Sequence, residues 1–350
     1  MHRQHSIFRG SLALAAALTV GAASAESYVA KIYGNLDSYI ENRISGAGNG
    51  EVMSGWVKTD TGPRLAAYRT PQGLKILHPS GFDSSEITDS DGVYHTGFAT
   101  QGGVRNAFFW IGGENGINLH PAGAAYTNSQ GNGVGGQLQV GQVTMNTTCE
   151  ICGSSAGTHA ARWGRTASSF VRLHMAGMSK TVASGTDGIS VVGKAGDSLS
   201  ERAILWANGT SAGVSLHPNG YSASGANSVD GNIQGGWGRI SGWTRALIWK
   251  GTAGSVVNLT PADFEWAVVT TVRGNTQVGT GFPFTTPDRA QAIAWHGKAS
   301  TWINLHFKLP YPFTFWNSYA EDIDANGNIT GYVQSPDLSI TRPVVWVRQN

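Results

Sequence analysis

The sequence predicts an all-β fold, a seven-bladed β-propeller, on three observations. One phrase recurs along the chain: a basic residue, then alanine, two residues and tryptophan. It ends at Trp110, Trp163, Trp206, Trp249 and Trp295, with degenerate copies at Tyr68 and Trp346. These anchors lie 42, 53, 43, 43, 46 and 51 residues apart, the spacing of a propeller blade. Between them the chain reads as short strands separated by Gly, Asp, Asn and Ser turns, with no amphipathic helical stretch. Finally, 48 of the 350 residues are glycine and only 13% are charged, about double and half the usual shares.

Each unit is read in the same order. The Ala-x-x-Trp phrase is taken as its first strand, because its apolar neighbours place the tryptophan, the largest side chain, in a core. A turn such as Gly251 to Gly254 follows. The second strand ends in Leu-His-Pro at Leu77-His78-Pro79, Leu119-His120-Pro121 and Leu216-His217-Pro218. Variants are Leu173-His174-Met175, Leu259-Thr260-Pro261 and Leu305-His306-Phe307. A third strand is rich in Ser, Thr and Ala, as in Ser222 to Val229. A tight Asp/Gly/Asn turn leads to a fourth that ends in glycine, at Gly141, Gly193, Gly279 and Gly331. The ends of the chain complete each other. Tyr28 to Tyr33, Ser38 to Ile44 and Val52 to Gly55 supply three strands, and Val344 to Val347 supplies one. The expected ring therefore closes with a composite blade of three N-terminal strands and one C-terminal strand, which removes an exposed sheet edge.

The first 25 residues read as a secretory signal peptide. His2, Arg3 and Arg9 start it, Ser11 to Ala22 form a short apolar run, and Ala23-Ser24-Ala25 is a small-residue cleavage site. Residues 26–350 are then one exported propeller domain, secreted or periplasmic. No other segment approaches the roughly 20 apolar residues of a membrane span. Taking Arg3 and Arg9 from the 24 Lys and Arg leaves 22 against 22 Asp and Glu. A neutral, glycine-rich chain argues against nucleic acid as partner. Cys149 and Cys152 form a lone Cys-x-x-Cys, read as a local disulfide in an exported protein. A zinc site would need two further ligands that local spacing does not offer.

The combined pattern of basic residue, Ala-x-x-Trp, Leu, Ser-x-Ala and Gly-x-x-x-Gly resembles the HAF-type repeats of secreted bacterial proteins. The resemblance covers essentially all of the chain after the signal. It is closest in the last unit, with Leu305, Leu309-Pro310, Trp316 and Ala320-x-x-Ile323-Asp324-x-x-Gly327. The unit from Ala160 departs most, lacking the proline after its histidine. The resemblance implies the repeat fold and an extracellular setting more than an activity.

Strand direction alternates within a blade, so the connections fall into two sets on opposite faces of the disc. All the long ones, Gln142 to Thr158, Trp237 to Thr244, Thr280 to Arg289 and Phe307 to Asn317, fall on one face. Long loops on a rigid scaffold are where function concentrates. Three recurring residue types are expected there: histidines 78, 120, 174, 217 and 306, basic residues at 64, 105, 159, 202, 245, 289 and 342, and aromatics at 56, 98, 237, 282 and 332. A position repeated in every blade ordinarily serves the repeat itself. Aromatics unique to one unit, such as Trp243, Tyr311 and Trp316, are the better functional candidates. The candidate ligand-binding set is His78, His120, His174, His217, His306, Arg202, Arg245, Arg342, Trp237, Trp243, Tyr311 and Trp316. Arginine suits carboxylate or sulfate groups and aromatic faces suit sugar rings, so the expected ligand is an acidic polysaccharide, bound by a monomer without cofactor or metal. A polysaccharide lyase or glycoside hydrolase is the catalytic alternative, and an adhesion platform for protein partners is the structural one. No catalytic residue is assigned. Two Gly-x-Ser-x-Gly matches, at Gly153 and Gly209, lack the strand–turn–helix setting of a nucleophile elbow. Asp322-Ile323-Asp324-Ala325-Asn326-Gly327 resembles the start of a calcium loop but lacks the closing acid, Val333 standing there, and is read as a hairpin turn.

Overall fold

A computed structural model of the chain describes residues 26–34, 41–47, 52–146, 156–175, 177–196 and 200–349. The expected signal peptide and the Cys149–Cys152 pair lie outside the described residues. Among those described, 28 strands form seven four-stranded antiparallel sheets. The chain opens with β1 (Ser27–Ile32). Blade 1 is β2 (Glu41–Ala47), β3 (Met53–Lys58), β4 (Leu65–Thr70) and β5 (Gly73–Ile76). Blade 2 is β6 (Ser84–Ser90), β7 (Tyr94–Gln101), β8 (Val104–Ile111) and β9 (Ile117–Asn118). Blade 3 is β10 (Tyr126–Gly135), β11 (Leu138–Met145), β12 (Gly157–Trp163) and β13 (Val171–Arg172). Blade 4 is β14 (Thr181–Thr186), β15 (Val191–Ala195), β16 (Arg202–Trp206) and β17 (Val214–Ser215). Blade 5 is β18 (Ala223–Asp230), β19 (Ile233–Ile240), β20 (Trp243–Trp249) and β21 (Val257–Asn258). Blade 6 is β22 (Phe264–Arg273), β23 (Thr276–Pro283), β24 (Gln291–Trp295) and β25 (Ile303–Asn304). Blade 7 is β26 (Asn317–Ile323), β27 (Ile329–Gln334) and β28 (Thr341–Gln349), completed by β1.

The first strand of every blade packs against the first strand of the next, and β26 returns to β2, so these strands ring a central channel. The seven-bladed ring therefore stands, but the boundary between blades lies two strands from where the repeat suggests. The Ala-x-x-Trp strand is third in its sheet, not first. Leu-His-Pro ends the short outermost strand, and its proline marks the crossing to the inner strand of the next blade, since proline cannot continue a ladder. The composite blade is corrected accordingly. It takes three strands from the C-terminus and only β1 from the N-terminus, while β2 and β3 belong to blade 1. The expected pairing of Val344 to Val347 with the N-terminal segment does form, from Ser27 opposite Gln349 to Ile32 opposite Val344. Glu26 binds the seam further, accepting from Tyr28 Oη at 3.0 Å and pairing with His296 of blade 6 and Arg348.

The inner strand carries a β-bulge at the same place in all seven blades, skipping residues 45, 88, 132, 184, 227, 270 and 321. Opposite each of these bulges the second strand holds the repeat's glycine, Gly55 in blade 1 included. A Cβ on Gly97, Gly141, Gly193, Gly236, Gly279 or Gly331 would lie 1.9–2.1 Å from a carbonyl oxygen of the inner strand. The extra residue drives the two backbones together, and only glycine leaves room. The bulged side chains then tie neighbouring blades. Thr88 donates to the Gly131 carbonyl at 2.8 Å, Asn132 to Ala183 at 2.8 Å, Asn227 to Val269 at 2.7 Å and Thr270 to Ala320 at 2.7 Å.

The core lies between blades. Trp110, Trp163, Trp206, Trp249, Trp295 and Trp346 are fully buried, as the repeat requires. The indole N–H of Trp110, Trp206 and Trp346 donates to the preceding blade, at Leu77, His174 and Leu305 carbonyls. Helix is confined to short 3-10 turns, and no described helix is long and apolar enough to cross a membrane.

Candidate ligand-binding face

The second-to-third-strand loops and the crossings between blades emerge on one face, here the loop face. The first-to-second and third-to-fourth turns emerge on the other. By strand order all four of the expected long connections belong to the loop face, as expected, but one of them is not long. Trp237 to Thr244 is no insertion: β19 and β20 run on into a tight hairpin at Ser241 and Gly242, both with positive φ.

The histidines do not converge. Each sits at its own blade junction, and four repeat one arrangement. A serine on the inner strand accepts from the alanine N–H of the preceding blade and meets the histidine Nδ1. The alanine contacts are Ala66 to Ser85 at 2.9 Å, Ala107 to Ser129 at 2.8 Å, Ala203 to Ser224 at 2.9 Å and Ala292 to Ser318 at 2.9 Å. The corresponding imidazoles of His78, His120, His217 and His306 lie 2.8 Å from those serines. In His78 and His306 the other ring nitrogen, Nε2, faces a carbonyl, Phe82 or Thr314, and donates to it. Burial holds the pKa of His120, His217 and His306 below the usual histidine value. His174 is exposed, and Thr181 takes the serine's place beside Ala160.

The basic positions also work locally. Arg64 stacks on Trp56 at 4.2 Å and pairs with Glu86, and Arg105 stacks on Phe98 at 4.0 Å while bonding Gln130. Arg245 donates to the Glu265 carbonyl at 3.2 Å, and Arg342 to Thr341 at 3.0 Å. Arg202 is exposed beside His217, whose proton affinity its charge lowers after burial has done so. Trp237 lies over Gly225, which is glycine because a Cβ there would meet the indole at 2.7 Å. Trp243 is exposed. In the crossing from blade 6 to blade 7, Trp316 and Phe313 pack against the last core cluster with rings 5.0 Å apart, while Tyr311 is exposed.

Two neighbouring hollows on the loop face share Gln142 and together span blades 2 to 4. The first, about 290 Å³, is lined by Thr100, Arg105, Asn128, Gln130 and Thr144. The second, about 340 Å³, is lined by Thr158, Lys180, Lys194 and Glu201. Lys194 is paired to Glu201 at 2.8 Å. Amides, hydroxyls and three cations against one acid make this a polar, positively biased groove. Of its cations only Arg105 belongs to the recurring basic set; Gln142 and Lys194 stand after the second-strand glycine, where most other blades carry an aromatic, so residue type at that place changes from blade to blade.

The opposite face, around the mouth of the channel, has the opposite character. Asp89, Asp91, Asp187, Asp230, Glu321 and Asp322 line a hollow of about 470 Å³ with Arg273. Several of these carboxylates brace blades. Asp89 accepts from Val134 N–H at 2.8 Å, Asp91 from Gly136 at 2.9 Å and Asp187 from Gly231 at 3.0 Å. Burial pushes Asp89 up to about 6, against the pull of its backbone hydrogen bonds. Asp324 accepts from Asn326 and Asn328 N–H at 2.8 Å each, closing a hairpin turn. No group of three or more His, Cys, Asp or Glu among the described residues is placed to hold a metal ion.

No protein-family profile matches the chain, and no curated protein resembles it in sequence. Its likenesses are of fold. A crystal structure of puromycin hydrolase superposes with a TM-score of 0.57 and 12% identity over 87% of this chain. The chain spans about half the length of that protein, 52%. An oligogalacturonate lyase in complex with manganese gives 0.57 and 11% identity, covering 93% of this chain and 97% of that one. The β-propeller domain of the Trilobed protease from Pyrococcus furiosus, a domain of open velcro topology, gives 0.56 and 8% identity over 89% and 94%. The chain is thus of the propeller fold, with its ring closed by β1.

Proposed function

We propose that the protein is a secreted or periplasmic repeat propeller of the HAF type that binds an acidic glycan across its loop face. The groove over blades 2 to 4 supports this reading most directly. Arg105, Lys180 and Lys194 offer charge to uronate or sulfate groups, and Asn128, Gln130, Gln142, Thr144 and Thr158 offer the paired donors and acceptors that sugar hydroxyls use. Arg202, Arg245, Trp237 and Trp243 extend the same face beyond the groove. The acidic lining at the channel's far end repels a polyanion, so the ligand lies over the loop face without threading the ring. Calorimetric titration with polygalacturonate and with a neutral glucan tests this. Binding of the acidic polymer alone is expected, weakening as salt rises, with Arg105→Gln plus Lys180→Gln lowering affinity at least about tenfold. Equal affinity for both polymers, or none for either, overturns it.

The second reading is an acidic-polysaccharide lyase, supported by full-length superposition with an oligogalacturonate lyase. Its signature is ultraviolet absorbance of unsaturated uronate ends appearing in the same mixtures.

A further inference from the structure

The loop face is divided. Over blades 5 to 7 it exposes large apolar side chains on neighbouring loops: Trp243, Phe284, Phe307, Tyr311, Phe315, Leu338 and Ile340. Isolated exposed hydrophobics are ordinary, but a sector of them on one face is not. We propose that this sector is an interfacial anchor that seats the propeller on a lipid bilayer surface, with the aromatic rings and Leu338 entering the headgroup region.

Two features show that the apolar tips are held outward by construction. In the crossing between blades 6 and 7 the side chains alternate in purpose. His306, Leu309, Phe313 and Trp316 turn inward, the first two buried and the other two against the core cluster. His306 fixes the strap at both ring nitrogens, through Ser318 and the Thr314 carbonyl, and Arg289 donates to the same carbonyl at 3.4 Å. Phe307, Tyr311 and Phe315 are thereby left facing solvent, Tyr311 at 82% exposure and Phe307 at 70%. The second feature is Leu338. It has φ +63°, the left-handed region that costs a branched residue strain, yet it is 60% exposed. Ser335 and Asp337 brace that loop: Leu338 N–H donates to the Ser335 carbonyl, and both Ser335 and Ser339 hydroxyls donate to Asp337. Glycine or asparagine would fit the backbone without strain, so the loop trades stability for an apolar tip.

The form of the patch selects a bilayer. Its side chains sit on separate loop tips and on a projecting strap, and the Tyr311 and Phe315 rings stand at 89° to one another. Neither a flat stacking platform for a sugar chain nor a packed groove for a helix results. Trp and Tyr beside Phe and Leu is the composition of interfacial anchors. The exposed charges of the sector oppose one another, Lys308 on the strap against Asp288 and Asp337 on the flanking loops, so the anchor works through its apolar side chains.

The test is co-flotation of the full chain with phosphatidylcholine vesicles, with and without phosphatidylglycerol, read alongside the fluorescence of Trp243. Flotation and a blue shift are expected with both, with little dependence on phosphatidylglycerol. Tyr311→Ser plus Phe315→Ser should lower partitioning at least about tenfold with an unchanged melting temperature, since both side chains are exposed. Leu338→Gly separates function from folding: it should raise the melting temperature while lowering partitioning. Absence of flotation overturns the proposal, as does flotation that these substitutions leave intact. Concentration-dependent dimerisation lost in the same variants without vesicle binding would make the sector a self-association surface instead, and also overturns it. Polygalacturonate binding by the groove variants is measured separately, so the two readings fail independently.

Discussion

At the residue scale, the repeat is a set of answers to one geometric event, the bulge in each inner strand. The glycine of the second strand is there because the bulge brings a carbonyl to within 2.1 Å of where the Cβ of residue 236 would be. Gly236→Ala should therefore cost at least about 2 kcal/mol by forced displacement of packed backbone, read by urea unfolding. The serine two residues before the bulge region is equally specific. Ser224→Ala strands the buried N–H of Ala203 and removes the Nδ1 partner of His217, at a cost of about 1–3 kcal/mol. His217→Ala leaves the Ala203 contact in place and should cost less. Equal losses from the two would mean that the serine does not hold the seam.

At the element scale, the closing strand carries the ring. Removing residues 26–32 deletes β1, bares the edge of β28 and frees the Glu26 contacts to His296 and Arg348. A melting temperature lowered by many degrees is expected, with loss of a single cooperative transition, and an unchanged melt would refute the closure. The strands themselves were legible in the sequence, since tryptophan spacing, turn residues and the terminal complement all point to a ring. The phase of the blades was not. A period says how often a unit returns and nothing about where one sheet stops. The signal that settles it is local: proline after Leu-His ends an outer strand, whereas Gly102-Gly103 and Ser241-Gly242 make hairpins within a sheet. The site was less legible still. Recurring histidines stand out in a repeat, yet they serve blade junctions. The groove takes Arg105 from the recurring basic set, but Gln142 and Lys194 replace the aromatic that follows the second-strand glycine in most other blades, and Lys180 matches no recurring type, so these carry no periodic signal.

For the whole molecule, the near-neutral net charge conceals a separation between faces, a cationic groove on the loop face and carboxylates around the channel on the opposite side. It also conceals opposed titrations. Burial holds His95 down at about 4 and keeps His120, His217 and His306 below 6.5. Below pH 6.5 the unfolded chain takes up protons that the folded chain refuses, so the stability present above that pH is lost as pH falls. Asp89, raised from 3.8 to about 6, acts the other way: the folded chain binds its proton more readily, and acidification through that window stabilises. Four histidines outweigh one carboxylate, so the melting temperature should fall between pH 7 and pH 5. His95→Gln should flatten that dependence without disrupting the fold, because Gln139, Gln234 and Gln277 occupy the equivalent position in three other blades. A melting temperature that rises on acidification would show that the carboxylates dominate.

The antiparallel register of β1 on β28 also fixes how the molecule answers to force. Ser27 lies opposite Gln349, so both tails leave the ring from one point on its rim. Tension between the tails then loads the end of the ladder alone and peels it open pair by pair, while the rest of the seam bears nothing. A tether sewn to both ends should open this ring at low force, whereas handles attached on opposite blades would meet the resistance of the closed disc.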